Sequence, residues 1–426
     1  MSRPAVTAAD VEDALAAGRT RLEVAPGTIV TALAADYARD RGVAIVEVEP
    51  AAVEGTGPIG DAAEEAIPHA DAALPPGGTA PPNPFMRMST EEDPLGVGRW
   101  THRRAHEWYA KQPWLVGCNY APAYAVNQLE MWQRDTFDLD AIEGELDLAR
   151  SLGFNTLRVF LHDLLWEEPT LLIEHVDRFL TAADRRGIGV MPVLFDGVWR
   201  NYAHRGPQPE PIPGVHNSQW LQSPSSKAVV DPAEWPRLED YVCGVLDHFA
   251  DDERVRIWDL YNEPGNEALI GNAMPLLTHS FRWARSVGVS QPLVSGIWEF
   301  SPAFLELNRF QLLVADLVSF HHYGPLHDLE WLLRCLQPFG RPILCTEYMA
   351  RPLHSTFDPH LTVMRDEGVG AFNWGLVAGR SQTNHAWSSP RGAAEPAVWF
   401  HDIFRADGTA YDPGEVAFIR RTTGAG

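Results

Sequence analysis

The chain has 426 residues, which allows two or three domains or one large barrel with an appendage. It carries 34 Lys+Arg against 57 Asp+Glu, a formal net charge of −23, and no local basic patch, which argues against nucleic-acid and anionic-membrane partners. No run approaches the roughly 18–20 apolar residues of a membrane span and no apolar stretch follows the first residues, so a cytoplasmic protein is expected, with Cys118, Cys243, Cys335 and Cys345 as free thiols.

Residues 1–50 read as a small αβ module: a helix over 11–17, a strand over 21–24, a helix over 29–41 and a strand over 43–48. The stretch resembles a small N-terminal segment of some bacterial microcompartment-associated proteins. The resemblance implies an assembly or oligomer contact through residues 1–50. Residues 51–95 are rich in Ala, Pro, Gly and acids, have no apolar periodicity, and read as a flexible linker.

From residue 96 to 426 apolar β-rich runs alternate with helical stretches. The runs are 115–120, 156–160, 189–195, 256–261, 292–297, 317–321, 343–347 and 370–374. Helices are expected over 139–152, 171–186, 235–250, 274–287, 329–338 and 360–367, and 300–316 is ambiguous. Eight continuous apolar strands with helical crossovers predict an α/β fold, a (β/α)8 TIM barrel. A doubly wound sheet would bring a Gly-rich phosphate loop after its first strand, and Gly117-Cys-Asn-Tyr-Ala-Pro122 is not one.

In such a barrel the chemistry sits where strands end. In order, the strand ends offer Asn119, then Arg158 with His162 and Asp163, Asp196 with Trp199, Asn262-Glu263-Pro264, Trp298-Glu299, His321-His322-Tyr323, Glu347 and Trp374. Glu263 and Glu347 close strands 4 and 7, so both can face one central mouth. Glycosidic cleavage needs such a pair, one carboxyl protonated and one ionised. Burial would raise the acid's pKa, and a cation such as Arg158 would keep its partner ionised. His321 and His322 point to opposite faces of their strand, which argues against a joint metal site. Trp199, Trp298, Trp374 and Trp387 are candidates for stacking on sugar faces.

Asn262-Glu263-Pro264, Glu347, Arg158, His321-x-Tyr323 and Trp374 together resemble the (β/α)8 glycosidase clan that includes glycoside hydrolase family 5, over roughly residues 110–421. The resemblance implies a retaining hydrolase without metal or cofactor. It makes Glu263 the acid/base and Glu347 the nucleophile, with Asn262, His321, Tyr323 and Trp374 around the reacting sugar. A retaining pair predicts carboxyls about 5–5.5 Å apart. Leu194-Phe-Asp-Gly-Val-Trp-Arg200 replaces the His-rich motif of many cellulase-type members, and Asp196 stands to bind a hydroxyl there instead. The tail from Thr383 resembles family 5 relatives of which some act on arabinofuranosides or galactofuranosides. The expected carbohydrate substrate is a small glycoside, cleaved by exo action in a pocket closed by the 200–230 insertion and the 376–396 loop. The alternatives are an endo-β-glucanase or mannanase, and a non-catalytic sugar-binding or assembly barrel. A metal-dependent isomerase would want four or more converging ligands.

Overall fold

The computed structural model describes residues 93–266 and 269–425 continuously, preceded by 5–6, 20–24, 29–30, 38, 41, 43–47 and 83–85. The chain divides into two units, Met1–Ile67 and Pro68–Gly426. In the first, β1 (Ala5–Val6) pairs in parallel with β3 (Ile29–Val30), and β2 (Arg21–Val24) with β4 (Ala44–Glu47). The strands expected over 21–24 and 43–48 are therefore present. The helix expected over 29–41 does not start at Ile29. Its first two residues are β-branched, suit an extended backbone, and find a partner in Ala5–Val6. The helix expected over 11–17 lies outside the described residues.

Most of the expected linker, 51–82, also lies outside them. Its last part belongs to the second unit. Asn83 Nδ2 donates to the Cys335 carbonyl at 3.1 Å, and Phe85 is buried edge-on to Phe339 with ring centroids 5.9 Å apart. The barrel domain thus starts before residue 96, because a single buried Phe anchors a stretch whose composition otherwise looks unstructured.

The second unit is a (β/α)8 barrel. Its strands are β5 (Val116–Asn119), β6 (Thr156–Phe160), β7 (Gly189–Asp196), β8 (Trp258–Asn262), β9 (Leu293–Val294), β10 (Val318–His322), β11 (Ile343–Tyr348) and β12 (Gly370–Trp374). All pair in parallel in the order β10-β11-β12-β5-β6-β7-β8-β9, and a parallel bridge between Ile297 and Phe320 joins the two ends. Strand residues are buried on both faces, which explains why the runs read as continuously apolar. Helices such as Leu139–Ser151, Pro169–Asp184, Trp235–His248 and Ala273–Val287 cover the outside.

Two differences from the sequence expectation have plain causes. The ambiguous 300–316 segment is a 3-10 turn, Pro302–Phe304, followed by a helix, Leu305–Val314. Its amphipathic signal is broken by buried amides: Asn308 donates to the Glu299 carbonyl at 2.7 Å and Gln311 accepts from Ser295 at 3.0 Å. The helix His102–Tyr109 closes the barrel floor, where Trp100 and Ala105 pack against Leu115, Met191, Leu344 and Phe372. The opposite, C-terminal mouth is left for chemistry.

Candidate active site

Arg158 is the hub of that mouth. It is fully buried at the middle of β6. Its Nη1 donates to Asn119 Oδ1 at 2.7 Å and to Glu347 Oε1 at 2.8 Å. Its Nη2 donates to Asn262 Oδ1 at 2.6 Å and to Asp259 Oδ2 at 2.7 Å, and Nε reaches the same oxygen at 3.1 Å. Two carboxylates and two amides therefore fix a planar fork with no freedom to turn. Asp259, a lone acid in the apolar Trp258–Asn262 run, was not singled out from sequence. Its signal was its isolation in a strand buried on both faces, where an acid requires a cation.

Glu347 accepts from Arg158 on one oxygen and from the Tyr323 hydroxyl, 2.7 Å away, on the other. Burial raises its pKa above the ordinary carboxylate value. The His321 ring lowers it, the Glu263 charge raises it, and Arg158 and the Tyr323 hydroxyl lower it. The arginine thus offsets burial rather than overriding it. Glu263 has weaker support: Asn266 Nδ2 donates to one oxygen at 2.9 Å and His321 Nδ1 lies 2.8 Å from the other. Burial pushes its carboxyl up to about 7. Burial pushes the His321 pKa down to about 4, so the ring stays neutral beside Glu263. Of the two acids, Glu347 has the guanidinium and the phenol and holds its charge better. Glu263, with neutral donors only, holds its proton better.

The backbone delivers both groups. Glu263 sits at φ 46°, which turns its side chain off the β8 axis and over the mouth. The ends of β7 and β8 meet at Gly197, whose amide donates to the Asn262 carbonyl at 3.0 Å; a Cβ there would lie 2.5 Å from the Glu263 carbonyl oxygen. One oxygen of Glu263, one of Glu347 and Nδ1 of His321 lie within 4.8 Å of one another. Three such atoms could ligate a cation. Arg158 already occupies Glu347 at 2.8 Å, and its positive charge opposes a metal at that carboxylate.

Other sequence candidates fall into two groups. Trp374 lines the mouth, 5.5 Å from Phe160 and 5.7 Å from Trp220 between ring centroids. Tyr323 meets Trp387 edge-on at 5.1 Å. Asn119 and Asn262 serve Arg158, and Trp199 packs with the Trp220 and Trp374 group. The remaining candidates have structural partners. Asp196 was expected to bind a sugar hydroxyl. It is fully buried and its lone pairs are taken by Asn262 Nδ2, Val198 N, Trp220 Nε1 and Gln128 Nε2. Burial raises its carboxyl to about 8. It anchors the insertion after β7 instead. Asp163 pairs with Arg237 at 2.6 Å and accepts from Ser223, while His162 receives the Leu164 amide. Trp298 donates to the Pro264 carbonyl at 3.3 Å and packs on Phe304, bracing the Glu263 loop. Glu299 accepts the Ser301 amide at the rim, and His322 faces outward to the Pro325 carbonyl.

The insertion after β7 and the loop after β12 are laced together over one side of the mouth. Asn217 N donates to the Ser381 carbonyl at 2.8 Å, Gly392 N to the Pro213 carbonyl at 2.6 Å, and His216 Nδ1 to the His385 carbonyl at 2.7 Å. Gln382 alone accepts from Gly214 N at 2.8 Å and donates to the carbonyls of Ile212 and Val215. Asn127 Nδ2, from the loop after β5, donates to the Gln219 carbonyl at 3.1 Å. The lacing joins the loops after β12, β5 and β7 next to Trp374, and Trp387 of the same β12 loop reaches Tyr323 after β10. Glu263 follows directly on β8.

The class defined by this frame is a (β/α)8 barrel with two facing carboxylates at the ends of its fourth and seventh strands. No family model and no curated protein matches the sequence. Solved structures do. The GH5_18 protein of Streptomyces cattleya, in complex with GlcNAc, superposes with a TM-score of 0.50 at 14% identity, covering 73% of this chain and 79% of that one. The endo-1,4-beta-D-mannanase of Thermotoga petrophila RKU-1 has a TM-score of 0.48 at 14% identity, over 73% and 99%. A glycoside hydrolase family 5 mannosidase of Rhizomucor miehei has 0.45 at 13%, over 74% and 94%. At 14% identity the likeness to the Streptomyces cattleya protein is one of fold alone.

Proposed function

We propose that the protein is a retaining O-glycoside hydrolase that removes a terminal sugar from small glycosides. The observation that carries the reading is the pair Glu263 and Glu347, with facing oxygens within 4.8 Å, only one of them held by a guanidinium and a phenol. A retaining pair needs its carboxyl groups about 5–5.5 Å apart, and the close approach of these oxygens supports that reading. Glu347 attacks the anomeric carbon while Glu263 protonates the leaving oxygen. Glu263, now ionised, then takes a proton from the water that releases the sugar. The laced loops support exo action. They cover the mouth beside Trp374, and in this reading the leaving group lies beside the acid, Glu263. An endo-enzyme would need both sides open.

The test is Glu347→Ala assayed on a panel of 4-nitrophenyl glycosides that includes furanosides. Turnover is expected to vanish, and azide or formate is expected to restore it with a product of inverted configuration, since a small anion can fill the missing carboxylate's place. Rescue with inversion in Glu263→Ala instead would exchange the two roles, and an unimpaired Glu347→Ala would refute the mechanism.

A further inference from the structure

A tight turn follows Glu263. The Asn266 amide donates to the Glu263 carbonyl at 3.2 Å, and Gly265 between them has φ 87°, with a Cβ there only 3.0 Å from the Ile270 Cα. The turn brings the Asn266 side chain back onto the acid, where Nδ2 donates to Oε2 at 2.9 Å. One residue thus clasps Glu263 at its main chain and at its carboxyl.

The two oxygens of that carboxyl have different surroundings. Oε1 lies 2.8 Å from His321 Nδ1, and the same nitrogen lies 3.5 Å from Glu347 Oε2, so Oε1 is the oxygen turned toward the other acid. Oε2 is held by an amide N–H, which can only donate. Such a bond suits an oxygen without a proton, so the acid proton sits on Oε1. When that proton passes to the leaving oxygen, Glu263 becomes a carboxylate, and the bond from Asn266 becomes charge-assisted and roughly twice as strong. An interaction that strengthens along the step is one that accelerates it.

We infer that Asn266 is the positioning residue of acid catalysis: it holds Oε2, presents the proton on Oε1 to the leaving oxygen, and stabilises the carboxylate that proton transfer creates. The inference rests on the retaining-glycosidase reading of the same site and adds a substrate class to it. The contact counts for glycosides whose leaving group must be protonated, such as an alkyl alcohol or a second sugar, and is idle for activated aryl glycosides. Among the described residues, the titratable and charged groups facing Glu263 are His321 from β10, Glu347 from β11, Arg158 from β6 and Asp196 from β7, and the variants below keep all four.

The experiment compares wild type with Asn266→Ala and Asn266→Leu, on the phenyl and 2,4-dinitrophenyl glycosides of the sugar that wild type turns over fastest. Both variants are expected to lose about tenfold or more in kcat/KM on the phenyl glycoside, and to stay within about threefold on the dinitrophenyl one, whose leaving group needs no proton. The basic limb of the phenyl profile, where Glu263 loses its proton, is expected to move up by about one pH unit, because the carboxylate has lost a donor. Equal losses on the two substrates with the basic limb in place overturn the inference and leave the glycosidase reading standing. Failure of both variants to melt cooperatively also overturns it, by making Asn266 a purely structural residue. Silence of wild type on every glycoside overturns both readings.

Discussion

Replacing Tyr323 by Phe removes the hydroxyl and leaves the ring against Trp387. The hydroxyl donates to Glu347 Oε2 at 2.7 Å, and that carboxylate is buried. A hydrogen bond to a charged group contributes about 1.5–3 kcal/mol. At 1.36 kcal/mol per unit, its loss raises the pKa of Glu347 by roughly 1–2 units. In the proposed mechanism Glu347 is ionised when it attacks, so the acidic limb of kcat/KM moves up by that amount. Glu263 must be protonated, and its pKa near 7 sets the basic limb, where activity falls as pH rises; that limb stays in place. The working window therefore narrows from its acid side, and kcat/KM at the optimum drops about tenfold or more. The assay is kcat/KM from about pH 4 to 9 on a 4-nitrophenyl glycoside, quenched before reading. A uniform loss at all pH values, with the acidic limb unmoved, would refute the reasoning and reduce Tyr323 to a wall of the pocket.

Arg158→Met leaves Asp259 and Glu347 buried without their cation, so unfolding free energy from urea titration should fall by about 3–5 kcal/mol, and a loss below about 1 kcal/mol would contradict the hub described above. Removing residues 1–82 should leave kcat/KM for a small glycoside within about twofold, because the groups assigned to catalysis lie after residue 118. Removing residues 1–94 should add a stability loss of about 1.5–3 kcal/mol from the burial of Phe85; equal stability of the two truncated proteins would show that Phe85 contributes nothing.

The barrel was legible because parallel strands buried on both faces write long apolar runs. Thr156–Phe160 and Gly370–Trp374 match their expected bounds. Glu263, Glu347 and Arg158 were singled out by position and by resemblance, and the structure brings them together at one mouth. What the pattern could not carry was partner choice. Asp196 at a strand end looks like a ligand for sugar until Trp220, from an insertion with no periodicity, is seen donating to it at 2.7 Å. Asn217 and Ser381 lie in loops far apart in the chain and become neighbours only through the lacing. The helix His102–Tyr109 was missed because Ala105 is its only buried residue.

Two bonds of the lacing, Asn217 N to the Ser381 carbonyl and Gly392 N to the Pro213 carbonyl, run between main-chain groups that every residue type supplies. The others depend on three side chains, His216, Asn127 and Gln382, so the sequence requirement of the wall is concentrated there. Gln382 carries the most, a single side chain clasping three backbone groups of the facing insertion. For anyone wishing to turn a closed pocket into an open cleft on this scaffold, that amide is the pin to draw.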